Sequence, residues 1–256
     1  MQRIFLAAVI MVLLSVPVIG VAPVSALSFG LPPVLAQSQS QHKAVILSSL
    51  EALAHMGFYG KLISDDLKHA GYQVTFVNDS AVTIDFLLTQ MNNYDVIIWR
   101  SNTYTFAHTT YWYVGEVVNG ATQQKYASDF SQGWINGNAG TLGVDLDFFT
   151  NHFSPGSLSN VKLILLISSN SNAIGQALVS AGARAVVSCN GDISLQFGLI
   201  DDLTGQLVSY LSNGNDVLDS VYSTVSPYSN MIPKDPLDTV YTPPFWFLGD
   251  GTVTIT

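Results

Sequence analysis

The sequence predicts a three-layer α/β sandwich built on a mainly parallel sheet. Three observations carry this. Short, unbroken apolar runs at 44–48, 96–99, 161–167 and 185–189 have the length and composition of strands buried on both faces. Segments with helical apolar spacing alternate with these runs, the signature of parallel strands joined by right-handed crossovers. Glycines stand where such helices should stop, as Gly71 and Gly182 do.

The elements follow in order. Residues 44–48 form the first strand, and 51–57 a loop. Phe58, Leu62, Ile63 and Leu67 mark one face of a helix over 58–70, which Gly71 ends. Residues 74–77 are a second strand. Thr83 N-caps a helix through Asn92, with Ile84, Leu87, Leu88 and Met91 on one face. Residues 96–99 are the third strand. The rhythm breaks over 101–159, a stretch rich in Asn, Gly, Thr, Tyr and Trp. It reads as a long insertion holding a hairpin or two, the kind of segment that carries function. The rhythm resumes with 161–167, the most apolar run after the N-terminus and hence the central strand. A helix over 174–181, a strand over 185–189 and helices over 201–211 and 216–225 follow, the last two separated by Asn213-Gly214. The tail holds a brief apolar strand within 243–250 and an alternating piece at 252–256.

Composition bounds the function. The chain has 256 residues and is 48% apolar, with mean hydropathy +0.33. That suits a sizeable core and excludes a disordered or fibrous chain. Eighteen acidic residues against nine basic ones give a net charge of −9. Without a basic stripe, nucleic acid and anionic membrane surfaces are not expected partners. One cysteine, Cys189, excludes an intrachain disulfide framework and a cysteine-based zinc site. Met1-Gln2-Arg3 followed by an uncharged apolar stretch reads as an export signal over 1–36, cleaved after Ala26 or Ala36, with a polar spacer over 37–42. The folded part, 43–256, is thereby expected outside the cytoplasm, secreted or anchored at the cell surface. Apart from that segment no membrane contact is expected.

Motifs for common chemistries are missing. No Gly-rich phosphate loop follows the first strand, and no G-x-S-x-G elbow occurs. The five histidines lack metal-ligand spacing, and Asp145 and Asp147 lack the glycine of a calcium loop, so neither a metal nor a cofactor is expected. Open parallel sheets place ligands at the carboxyl ends of their strands. There the sequence supplies Arg100, Ser101, Asn102 and Thr103 after the third strand, Ser169 and Asn170 after the central strand, and Cys189, Asn190 and Asp192 after the next. These make a polar crevice rim with many hydrogen-bonding groups and no histidine or carboxylate placed as a general base.

Four segments, in this order, resemble caspase-like cysteine peptidases, the clan of caspases, gingipains, clostripain-like enzymes and CHAT domains. Tyr94-Asp-Val-Ile-Ile-Trp-Arg-Ser-Asn-Thr103 looks like the strand that carries the clan's catalytic histidine. Leu163-Ile-Leu-Leu-Ile-Ser-Ser-Asn-Ser171 looks like the strand that ends at its nucleophilic cysteine. Ala177-Leu-Val-Ser-Ala-Gly-Ala-Arg-Ala-Val-Val187 is similar to the helix, turn and strand that follow. Phe245-Trp-Phe-Leu-Gly-Asp250 resembles the C-terminal motif of CHAT-like members, with altered spacing. The resemblance implies a caspase-like sheet and places the histidine and cysteine positions on Asn102 and Ser169. Serine without a base is a weak nucleophile, and a neutral amide does not take up a proton at neutral pH.

The resulting expectation is a pseudo-peptidase that binds or scaffolds a peptide, protein or surface ligand. Its recognition surface is the aromatic insertion: Tyr104, Tyr111, Trp112, Tyr113 and Trp134. One alternative is an active peptidase or other hydrolase, with Ser169 activated by His55 or His108, or with Cys189 as the nucleophile. Another is a structural component of the cell surface.

Overall fold

Unbroken apolar runs become the sheet. The computed structural model describes residues 41–49, 57–192, 197–227 and 245–256, all within one unit, Gln39–Thr256. The expected export segment lies outside the described residues, as does most of the loop at 51–57. β1 (Lys43–Ser48) leads to α1 (Gly57–His69), β2 (Gln73–Asn78), α2 (Ile84–Gln90) and β3 (Val96–Arg100). The insertion contributes β4 (Thr103–Phe106), β5 (Thr109–Val117), α3 (Gly120–Lys125), α4 (Ala127–Gln132), β6 (Ile135–Asn138), β7 (Thr141–Val144) and α5 (Leu146–His152). β8 (Leu163–Ile167), α6 (Asn172–Ser180), β9 (Ala185–Cys189), α7 (Phe197–Ser212), α8 (Val217–Val225) and β10 (Phe245–Gly249) complete the order.

The main sheet has six strands in the order β10-β9-β8-β3-β1-β2. Five run parallel and β10 pairs antiparallel with β9. β3, β8 and β9 are buried at every position, which is why their sequences read as continuous apolar runs. β8 does lie in the middle, beside β3. The fold is a three-layer α/β sandwich with a mainly parallel central sheet, as the sequence predicts.

Alternate residues of each strand feed two cores. Val45, Leu47, Ile97, Trp99, Ile164, Leu166 and Val186 pack with α2, α5, α6 and a second sheet. Ala44, Ile46, Val96, Ile98, Leu165, Val187 and Cys189 pack with α1, α7 and α8. The helix ends have local causes. Thr83 Oγ1 accepts the Phe86 N–H at 3.1 Å, Asp216 Oδ1 accepts the Asp219 N–H at 2.8 Å, and Gly71 closes α1 with a φ of 91°.

The insertion is more ordered than a loop. Its four strands form an antiparallel sheet, β4-β5-β7-β6, made of two hairpins. The turns are Ala107-His108 and Ala139-Gly140, with positive φ at all four residues. They lack the Asn-Gly signal that would announce them in sequence. The tail also departs from expectation: 252–256 is not a strand, although Val253 and Ile255 are buried and the Val253 carbonyl accepts the Val217 N–H. Among the described residues no helix is long and apolar enough to cross a membrane.

Candidate functional site

The parallel strands end level with one another. Ser48 pairs with Arg100 and Arg100 with Ile167, while Leu166 pairs with Ser188. β1 lies between β2 and β3, so the strand order reverses between β1 and β3, the place where open parallel sheets take ligands at their carboxyl ends. Asn102 and Ser169 each stand two residues beyond the Arg100–Ile167 pair, at the tips of adjacent strands. Backbone bonds fix this crest. The Ser101 N–H reaches the Ile167 carbonyl at 3.0 Å, and the Tyr113 N–H reaches the Asn102 carbonyl at 3.0 Å. Trp112 Nε1 donates to the Ser169 carbonyl at 3.3 Å. The two positions thus stand at neighbouring strand tips.

Their polar atoms are already engaged. Asn102 Oδ1 accepts the Thr103 N–H at 2.8 Å, so the amide caps its own strand turn. Ser169 is 2% exposed, and its Oγ donates to Asp192 Oδ1 at 3.0 Å, so a rim carboxylate does meet the hydroxyl, contrary to the expectation from sequence. Ser101 Oγ donates to the Tyr113 carbonyl at 2.6 Å. Asn170 adopts a φ of 53°, and its N–H bonds the Gly191 carbonyl at 2.9 Å. Asn190 Oδ1 accepts from Asn172 Nδ2 at 3.5 Å, and Asn172 Oδ1 accepts the Ser188 hydroxyl. Asn170, Asn190 and Asp192 therefore line the rim, and Thr103 starts the hairpin that walls it. Behind Ser169, the Ser168 hydroxyl is buried without a hydrogen-bond partner among the described residues. It borders a small cavity with Trp99, Trp112, Leu166 and Ile174, which has room for about one water-sized group.

Two rim candidates face elsewhere. Arg100 is 1% exposed and points into the α7 layer, where its Nε and Nη2 each donate to Asp201 at 2.9 Å. Burial holds the Asp201 carboxyl above its usual range, outweighing the attraction of Arg100. Cys189 is fully buried in the same core layer, and burial pushes its thiol up to about 12. It is a core side chain rather than a thiolate poised at the crevice. The reason is alternation: Arg100 and Cys189 share the face of Ile98 and Val187.

His108 does not supply a base. His108 sits exposed in the β4–β5 turn, where Phe106 and Thr109 pair three residues beyond Thr103 and Trp112. That distance is about 10 Å along the hairpin. His55 lies outside the described residues. Among the described residues no cluster of three His, Cys, Asp or Glu side chains forms a metal site. Asp145 N-caps α5, accepting the Phe148 N–H at 2.9 Å, which explains that acidic pair without a cation.

Sequence reasoning missed Asp201, which is 101 residues from Arg100 and carries no local signal. It also missed Asn136, Asn138 and Gly143, which the hairpins bring beside the tyrosines. Tyr111 and Trp112, expected on the recognition surface, are instead buried, at 4% and 5% exposure. Trp134 is half-buried against the same core and meets the His152 ring edge-on, with centroids 5.9 Å apart.

No protein-family model matches the chain, and no curated protein matches it. Among solved structures, the chain is similar to protein GSU0716 from Geobacter sulfurreducens. The two share 12% identity, the match covers 82% of this chain and 94% of that one, and the TM-score is 0.39. A likeness at that level carries no argument about fold or function.

Proposed function

We propose that the chain is an extracytoplasmic binding or scaffolding module whose crevice occupies the place of a hydrolase site without performing its chemistry. One observation carries the reading: the Ser169 hydroxyl donates to a carboxylate, Asp192, at 3.0 Å. A carboxylate orients the hydroxyl but is a poor match for removing its proton at neutral pH, since a general base works best with a pKa near the operating pH. Asn102, at the neighbouring tip, offers no proton acceptor of imidazole strength and already caps Thr103. The resemblance to caspase-like peptidases and the adjacent tips of β3 and β8 support the location of the crevice. The charged start and apolar stretch at the N-terminus support export.

The Ser169–Asp192 bond also favours a second reading, a slow hydrolase with Ser169 as nucleophile and Asp192 as its base. Labelling the folded protein with a fluorophosphonate separates the two. Absence of labelled Ser169 at neutral pH is the expected result. Stoichiometric labelling that disappears in Ser169→Ala would replace the binding module with the hydrolase.

A further inference from the structure

The main sheet ends at β2, and among the described residues no strand pairs with its outer edge. The strand itself does nothing to close that edge. Gln73–Asn78 keeps unbroken register with β1, from Gln73 beside Lys43 to Asn78 beside Ser48, with no bulge. It contains neither proline nor a charged residue, the usual guards of an exposed strand. The Gln73 N–H donates to the His42 carbonyl at 2.8 Å, so the odd-numbered residues bond inward to β1. The N–H and C=O groups of Val74 and Phe76 therefore point away from the sheet. They form the row of donors and acceptors that an added strand takes up.

The two faces beside this edge differ. On the α1 side, Val74 packs against the core, and the Phe76 ring lies over Gly60, where a Cβ would stand 2.7 Å from it. Phe76 stays 41% exposed. On the α2 side, Lys43, Gln73 and Thr75 border an open groove of about 430 Å³ with Gln90, Asn93 and Tyr94. That groove is polar and holds a cation. Lys43 has no carboxylate partner among the described residues, whereas Lys68, Arg100, Lys125, Lys162 and Arg184 each have one.

These features select one occupant. Donors and acceptors alternating at strand spacing call for an extended peptide backbone, which a glycan does not supply. Phe76 calls for an apolar side chain directly opposite, and the residues on either side of that one face the groove. There Lys43 calls for a carboxylate. An added strand lies about 10 Å from β1, a gap that lysine and glutamate side chains span together. A second copy of this chain answers less of the site, because β2 paired with itself brings no carboxylate to Lys43. We infer that the β2 edge binds an extended segment of another protein in which apolar and acidic residues alternate. The site lies apart from Asn102 and Ser169 and does not depend on their chemistry.

Fluorescence anisotropy of a labelled, end-blocked heptapeptide alternating valine with glutamate, titrated with the purified full chain, tests this. Saturable binding is expected below about 1 mM. Replacing the glutamates by lysine should weaken it about tenfold or more, and methylating the valine N–H groups should abolish it. Lys43→Gln and Phe76→Ala should each weaken it about fivefold with unchanged circular dichroism. Ser169→Ala should bind as the unaltered chain does. Absence of binding by the acidic peptide would overturn the inference, as would equal binding of the N-methylated peptide or binding that survives both edge variants. Loss of binding in Ser169→Ala would move the site to the crevice and overturn it too. A dimer in sedimentation that Phe76→Ala disperses, without peptide binding, would give the edge to a second copy instead.

Discussion

Removing the Asp201 carboxylate should unfasten α7 from the end of β3. Arg100 is 1% exposed and meets that carboxylate through two hydrogen bonds of 2.9 Å. In Asp201→Leu the enclosed guanidinium loses this carboxylate, a change that costs about 3–5 kcal/mol when one member of a buried pair is deleted. For a unit of this size that lowers the melting temperature by roughly 6–20 °C. Burial holds Asp201 above its usual range even with Arg100 bound, so the intact pair is not strongly favourable over apolar residues of similar volume. The double replacement Arg100→Met with Asp201→Leu should therefore recover to within about 1 kcal/mol of the unaltered chain. Guanidinium denaturation of the four proteins, followed by circular dichroism, gives the coupling energy. A single replacement costing under about 1 kcal/mol, or an additive double, would refute a structural role. Arg100 would then regain its place as a candidate ligand contact at the rim.

Other consequences follow from burial and close approach. Iodoacetamide should modify Cys189 in the native protein only as fast as the fold opens, because the thiol is enclosed and pushed up to about 12. Its raised value means that the stability it contributes is complete below the unfolded thiol's value of about 8.5 and is lost as pH rises towards 12. Cys189→Ala should therefore flatten the alkaline limb of a stability-versus-pH curve. Gly115→Ala should cost more than about 3 kcal/mol, since its Cβ would fall 1.4 Å from the Asp79 carbonyl oxygen. A thermal melt within 2 °C of the unaltered chain would disprove that contact. Deleting 245–256 removes Phe245, Val253 and Ile255 from the core. At about 1.5–3 kcal/mol each, that approaches the whole stability of a domain, so the truncated chain should show no cooperative melt.

What the sequence revealed, and what it hid, divides along burial. β3, β8 and β9 are enclosed on both sides, so apolar content alone betrays them. Caps such as Thr83 and Asp216 act within a few residues and are equally plain. β10 was visible as an apolar run, but its antiparallel pairing with β9 depends on contacts 56 to 64 positions apart along the chain, which no local pattern encodes. The second sheet was legible only as a hairpin or two, because β4, β6 and β7 have four residues each, β6 carries Gly and Asn, and the first turn is Ala107-His108. The crevice positions Asn102 and Ser169 could be placed because they follow buried strands. Facing was harder. Arg100 and Ser101 are neighbours on the same strand end, yet alternation sends Arg100 towards Asp201 and Ser101 towards Tyr113. Which face holds the crevice is decided by the layers packed on the sheet.

The central claim is that the Asn102–Ser169 site does not catalyse, and hydrolysis itself is its most direct measure. The purified full chain and Ser169→Ala should be incubated at neutral pH with a diverse peptide library and with ester substrates, and products should be quantified by mass spectrometry. Positioned acid–base assistance is worth roughly 10²–10⁴-fold, and neither Asn102 nor Asp192 is suited to supply it. Turnover by the unaltered chain should therefore be indistinguishable from that of Ser169→Ala. Cleavage by the unaltered chain that disappears in Ser169→Ala would contradict the claim and make Ser169 a nucleophile.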